Sequence, residues 1–174
     1  MAANPDILVS VEKYLHTSYN PDCDYVDGHV EERNAGEGPH SQLQAELLVF
    51  IHVQAKKLNI RVWPEQRLRV SPTRYRVPDI CVTPGRGPVP RILETTPLIC
   101  IEILSSEDRM SRVLRRAGDY VTIGVPHIWI FDPIDRAGYT FSPSGLKLSE
   151  DGIFNAPEIS LTMHLAERFA EIDS

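Results

Sequence analysis

At 174 residues the chain is long enough for one domain with a buried core, and residues 1–174 read as a single domain. The composition is that of a folded soluble protein, and no apolar run approaches the ~20 residues needed to span a bilayer. A formal net charge of −6 argues against a protein that coats nucleic acid nonspecifically.

The charge is unevenly spread. Residues 61–91 carry seven arginines against only Glu65 and Asp79, whereas residues 147–174 hold two basic and six acidic residues. A local basic surface on an acidic protein would steer a polyanion to one place; the plainer alternative is a set of solvated arginines. Cys23, Cys81 and Cys100 show no CxxC spacing and no disulfide framework. The opening "MAANPDILVSVEKYL" lacks a basic start followed by a long apolar stretch, so no secretory leader is expected and a reducing cytoplasm is the default compartment.

In chain order, residues 7–16 suit a short helix. "DYVDGHVEER" places Asp27-Gly28 between two short runs, a two-residue hairpin signal that makes Asp27 and the acids after it turn and surface residues. Ser41 with Gln44 fits a capping box, and Leu43, Leu47, Ile51, Ala55 and Leu58 follow at helical spacing, which predicts a helix over 41–58 with Glu46 at the edge of its apolar stripe. "IRVWPEQRLRV" (60–70) alternates as a strand that Pro64 bends or moves to an edge. "RVPDICVT" is the next strand, followed by a long Pro/Gly loop and then "LICIEIL" (98–104), the most apolar strand of the chain, with the single acid Glu102 inside it.

Ser105 and Ser106 are candidate caps, Glu107 and Asp108 favour a first helical turn, and Met110, Val113, Leu114, Ala117 and Val121 give that helix an apolar face. Gly124 stops it and Pro126 follows. "HIWIFD" (127–132) is another buried-type strand, "AGYTF" and later short runs add further strands, and "LAERFAEI" is a short amphipathic tail helix. Helix, three strands, helix, strand describes a mixed central sheet flanked by helices, of the α/β or α+β class, with an N-terminal β-hairpin and additional C-terminal strands.

Strands 77–83 and 98–104, matched end to end as an antiparallel pair, put Asp79 directly opposite Glu102. Opposed residues share a face, with Cβ atoms about 4.5–5.5 Å apart, and a one-residue slip would destroy the coincidence. Two ionised carboxylates this close repel, so either one takes a proton or a cation sits between them. Oxygen donors suit Mg²⁺, Mn²⁺ or Ca²⁺, and such an ion polarises a phosphoryl oxygen and activates water. Glu46 becomes a third acid if the first long helix packs over this end of the sheet. The plainer alternative has Asp79 capping a turn after Pro78 and Glu102 paired with a buried arginine, since a lone acid within "LICIEIL" is costly without a partner. Cys81 and Cys100 also fall opposite one another and read as small buried apolar residues. His40 and His127 lie near element ends, and no His/Cys spacing makes a zinc site.

Pro78-Asp79 followed by Glu102-Ile103-Leu104 on the next strand resembles the core of the PD-(D/E)XK nuclease superfamily, with its restriction endonuclease-like fold. More closely, "DYVDGHVEE", "GPHSQLQAELL", "RVPDICV" and "CIEILSSEDRMSRVLRRAGDYVTIGVPHIWIFDP" resemble the Uma-two family of putative restriction endonucleases over nearly the whole chain. The resemblance implies a DNA endonuclease dependent on Mg²⁺ or Mn²⁺, with Asp79, Glu102 and the backbone carbonyl of Ile103 binding the metal and Glu46 on the helix that often supplies another acid. The chain departs from the superfamily where a lysine is expected two residues after the acid, because Leu104 stands there. In the family the lysine comes from the following helix, four residues before Tyr120, and here that position is Arg116. The four lysines, Lys13, Lys56, Lys57 and Lys147, lie elsewhere. Arginine keeps the positive charge and steadies a transition-state oxyanion, but it is no base.

Three functions follow. The first is an endonuclease, as a homodimer whose two sites cut two strands. The second is a catalytically weakened or inactive nuclease-like module that binds DNA or regulates, motivated by the missing lysine and the acidic charge. The third is a structural protein whose acids only pair with arginines. None of the three involves a membrane.

Overall fold

A computed structural model describes residues 8–34, 36–85, 87–106 and 108–174; Ile7, Arg86 and Glu107, singled out above or counted among the arginines, lie outside them. The first helix, α1 (Val11–His16), starts where the Ser10 side chain accepts the Lys13 N–H. Strands β1 (Asp24–Val26) and β2 (His29–Glu31) pair through Val26 and His29 around Asp27 and Gly28, both at positive φ (48° and 99°), the two-residue turn the sequence predicts.

The long helix is α2 (Gly38–His52), and a separate short turn α3 (Ala55–Leu58) follows it. The expected capping box is not used. The helix begins three residues before Ser41, after Glu37, with Pro in its first turn, where a missing N–H costs nothing. Strand 60–70 divides at Pro64 into β3 (Ile60–Pro64) and β4 (Leu68–Ser71), which belong to different sheets. After β5 (Arg74–Arg76) come β6 (Ile80–Pro84) and β7 (Ile99–Ile103); then α4 (Met110–Thr122), closed by Gly124 at φ 79°; then β8 (His127–Asp132), at the residues its sequence pattern marks. Strands β9 (Ala137–Ser142), β10 (Gly145–Leu148), β11 (Ile153–Ala156) and β12 (Leu161–His164) lead to α5 (Leu165–Asp173).

The main sheet runs β10-β9-β8-β7-β6-β3, antiparallel except for β7–β8, which α4 connects in parallel. Three antiparallel strands, a crossover helix and a parallel fourth strand are therefore the centre of the fold. Strands β1, β2, β4 and β5 form a second sheet in the order β2-β1-β5-β4. On one face of the main sheet Ile80, Val82, Ile99, Ile101, Trp129 and Phe131 pack against Leu43, Leu47 and Ile51 of α2, and against Phe154 and Phe169 from the C-terminal region. On the other face Cys81, Cys100, Ile128 and Ile130 pack against Val113, Ala117 and Tyr120 of α4.

A buried ionic cluster joins the second sheet to α4. Arg76 donates to Asp119 (2.7 Å), Asp24 (3.0 Å) and Glu31 (3.0 Å), and Asp24 also accepts the Val77 N–H (2.8 Å). Among the described residues, the arginines of this segment are thus paired rather than free on an open basic surface. Arg67 is held by Asp22 and by the carbonyls of Tyr14 and Thr17, Arg61 by the carbonyls of Gly87 and Pro88, Arg69 by Glu94, and Arg74 by Asp27 and Asp119.

Two substitutions test this packing. Arg76→Ala leaves Asp24 buried without its cation and Asp119 with Arg74 alone, and is expected to cost ~3–5 kcal/mol in denaturant unfolding, against little for an exposed arginine. A Cβ on Gly138 of β9 would lie 2.5 Å from Phe154 Cζ and 2.9 Å from Leu165 Cδ2. Gly138→Ala is therefore expected to lose ~1–3 kcal/mol through overpacking, visible as a lowered thermal midpoint.

A buried carboxylate pair held by arginines

Strand register decides the geometry. Ile80 pairs with Ile101, Cys81 with Cys100 and Val82 with Ile99, the alignment expected from matching the strand ends. Side chains alternate along a strand, so Asp79 and Glu102 fall on the face of Cys81 and Cys100, whose sulfurs lie 3.8 Å apart. That is the face α4 covers. Asp79 stands one residue before β6, and in place of a further ladder rung its Oδ2 accepts the Ile103 N–H at 2.7 Å. Both acids are buried, Asp79 at 2% exposure and Glu102 at 0%.

Each carboxylate oxygen has a protein donor. Arg33, which follows β2, donates to Asp79 Oδ1, and His40 Nε2 of α2 lies 3.4 Å from Oδ2. Tyr120 O–H donates to Glu102 Oε1 at 2.5 Å, and Arg116 reaches Oε2 through Nε (2.9 Å) and a terminal nitrogen (2.8 Å). Arg116 and Tyr120 are one helical turn apart on the buried face of α4, which is why both reach one carboxylate. Glu102 therefore does pair with a buried arginine, as the plainer alternative required, and it does so on the same face as Asp79. His40 Nδ1 is buried and has no hydrogen-bond partner.

The two acids respond oppositely to this setting. Burial pushes Asp79 up, but the Arg33 charge, His40 and the Ile103 N–H outweigh it and hold the carboxyl at about 2. Burial leads at Glu102 and raises it; Arg116 opposes and the Asp79 charge adds to the rise. Burial likewise raises the Tyr120 hydroxyl, with the Glu102 charge beside it. Asp79 is thus the firmly ionised member of the pair.

Glu46 sits apart. Its Oε1 takes Arg168 of α5 at 2.8 Å, and α2 packs on the sheet face opposite α4. Among the described residues no group of three or more His, Cys, Asp or Glu is arranged to hold a metal ion. Asp79, Glu102 and Arg116 come together, with Ile103 bound to Asp79 through its N–H. Arg33 and His40 belong to the same cluster, and sequence reading missed them as site residues. Arg33 carries no local signal: its partner is 46 positions away, across a sheet and a helix. His40 was visible only as a histidine near a helix end.

The cluster is strapped from outside. Asn34 Nδ2 donates to Ser105 Oγ (3.3 Å) and Asp108 Oδ1 (3.1 Å), Ser106 Oγ donates to Glu37 (2.8 Å), and Arg112 of α4 donates to the Glu32 carbonyl (2.5 Å). Ser105 and Ser106 do not cap α4, and Asp108 lies outside its first turn: the Asp108 carboxylate accepts the Ser105 N–H (2.9 Å), and the helix starts only at Met110, after Arg109. No helix among the described residues is long and apolar enough to cross a membrane.

The fold has a close solved counterpart. The chain is similar to a crystal structure described as a putative nuclease belonging to DUF820 from Anabaena variabilis, with a TM-score of 0.82 and 21% identity over 94% of this chain and 99% of that one. At that identity the likeness speaks for the fold alone, a mixed central sheet flanked by helices. No curated protein matches the chain. The profile of the Uma2 family, described as "Putative restriction endonuclease", matches residues 11–167. With the sheet register, the acid pair and that match together, the chain belongs to the Uma2 family of putative restriction endonucleases.

Proposed function

We propose that this chain is a divalent-metal-dependent DNA endonuclease, one nuclease-like domain over residues 1–174, that hydrolyses phosphodiester bonds. The observation that carries the reading is the strand register that brings Asp79 and Glu102 to one buried face at the sheet end. Two carboxylates and a main-chain carbonyl are hard oxygen donors, the set Mg²⁺ and Mn²⁺ prefer. Asp79, Glu102 and the Ile103 carbonyl would hold the ion; Glu46 would join only after leaving Arg168. When bound, such an ion supplies polarisation of a phosphoryl oxygen and acidification of water.

The chain's own residues do the rest. Tyr120 and Arg116 fix the Glu102 carboxylate, and the Arg116 charge beside it would stabilise negative charge gained by a phosphoryl oxygen bound there. Arg116 stands where the resemblance expects lysine, and a guanidinium does not take a proton from water, so it orients and stabilises rather than acting as a base. A homodimer with two such sites would cut both strands. Buried free thiols at Cys23, Cys81 and Cys100 suit a reducing cytoplasm.

Purified protein incubated with supercoiled plasmid and Mg²⁺ or Mn²⁺ is expected to nick or linearise it. Asp79→Ala and Glu102→Gln are each expected to lower the rate ~100-fold or more, of the order seen on removing one charge-stabilising group. No cleavage by the unaltered chain, or equal cleavage by Asp79→Ala, overturns the proposal. The saturated carboxylate oxygens and Arg116 favour a second reading, a DNA-binding module without chemistry, and a metal-independent gel shift without cleavage is its signature.

A further inference from the structure

We propose that Arg33 is the resident counter-ion of the Asp79–Glu102 pair and that a divalent cation enters the site only by displacing it. This rests on the metal reading above. Two buried carboxylates on one face call for a cation between them, and a guanidinium already answers that call. The Arg33 side chain is only 10% exposed, its head is bonded to Asp79, and it feels the charges of both Asp79 and Glu102.

Charge balance makes the exchange necessary. Asp79 and Glu102 as carboxylates contribute two negative charges, and Arg33 and Arg116 two positive ones, so these four balance as they stand; His40, 3.4 Å from Asp79, adds a positive charge whenever it is protonated and only strengthens the argument. A divalent ion added beside both guanidiniums would leave two uncompensated positive charges in a buried site, which is costly. If Arg33 leaves instead, one positive charge remains, and the single negative charge of a phosphodiester cancels it. Ion entry is thereby coupled to arrival of the substrate class.

The geometry also picks which arginine leaves. Arg116 is carried by α4, whose buried face of Val113, Ala117 and Tyr120 is part of the core. Arg33 belongs to residues 32–34, which with 36 and 37 lie in no helix or strand and are exposed or half-buried. These residues are tied down by polar contacts, among them those of Asn34, Glu37 and the Glu32 carbonyl, rather than by apolar packing, and such a segment opens at lower cost than a packed helix.

The test is calorimetric titration of Mn²⁺ into the purified full chain, without DNA, for the unaltered protein, Arg33→Gln, Arg33→Lys and the double variant Arg33→Gln/Asp79→Asn. Arg33→Gln is expected to bind one Mn²⁺ at least ~10-fold more tightly than the unaltered chain, and the double variant to lose that gain. Arg33→Lys keeps the charge but loses the planar fork, so it is expected to fall between the two. Thermal melts in parallel should show a larger Mn²⁺-induced rise for Arg33→Gln than for the unaltered chain. If Arg33→Gln does not fold without the ion, recovery of a cooperative melt in Mn²⁺ supports the proposal, and the Arg33→Lys titration still decides it. Equal affinity of all Arg33 variants and the unaltered chain overturns the counter-ion role while leaving the metal site standing. Absence of Mn²⁺ binding in every protein, Arg33→Gln included, overturns the metal reading itself.

Discussion

Two carboxylates sit at the end of the central sheet with almost no access to water, and most of what surrounds them follows from the need to compensate their charge. A buried ion without a partner costs several kcal/mol, and removing one member of a buried pair costs ~3–5 kcal/mol. Glu102 therefore fixes the rotation of α4, because Arg116 and Tyr120 must face it. Asp79 fixes the path of residues 32–34, because Arg33 must reach it from beyond the first hairpin. The neighbouring cluster of Asp24, Arg76 and Asp119 obeys the same rule and ties the second sheet to α4.

These pairs are poor candidates for stability alone. Well-packed apolar residues of similar volume often serve a fold equally well or better than a buried ion pair. The positions of Cys81 and Cys100, one step along the same strands and fully buried, show that this face accepts small apolar side chains. The next pair of opposed positions is acidic instead, which is the observation the proposed metal site accounts for. Membership of a family described as restriction endonucleases points the same way.

What the sequence revealed was whatever has a short repeat. The register of β6 and β7 could be read by matching strand ends, because one buried face admits one register. Strand β8, the Asp27-Gly28 turn and the apolar face of α4 were legible for similar reasons. Local signals failed where two of them competed. Ser41 and Gln44 satisfy a capping box, but Pro39 suits a first helical turn, and the helix starts at Gly38. The arginines were the larger loss. Seven in a row of strands and loops suggested a surface, yet Arg67 and Arg76 are bound to Asp22 and Asp24, 45 and 52 residues away. Ion pairs closed over such distances leave no periodicity to read, so Arg33 was invisible as a site residue even though Asp79 was not.

The substitution of arginine where lysine is expected becomes intelligible in that light. A lysine at position 116 would offer Glu102 a single ammonium that sheds a proton when desolvated. Arg116 approaches one Glu102 oxygen with two nitrogens while Tyr120 holds the other, so Glu102 is fixed in place, though burial still makes it harder to ionise. Asp79 has the complementary character. It is the strongly ionised acid, but its cationic partner comes from an irregular segment held by a handful of polar contacts. The pair thus combines an anchored carboxylate on a rigid helix–strand junction with an exchangeable one at a strand entrance. On the proposed reading, such a division would let a cation and a phosphodiester enter without dismantling the core, because only the Arg33 side of the charge balance would have to move.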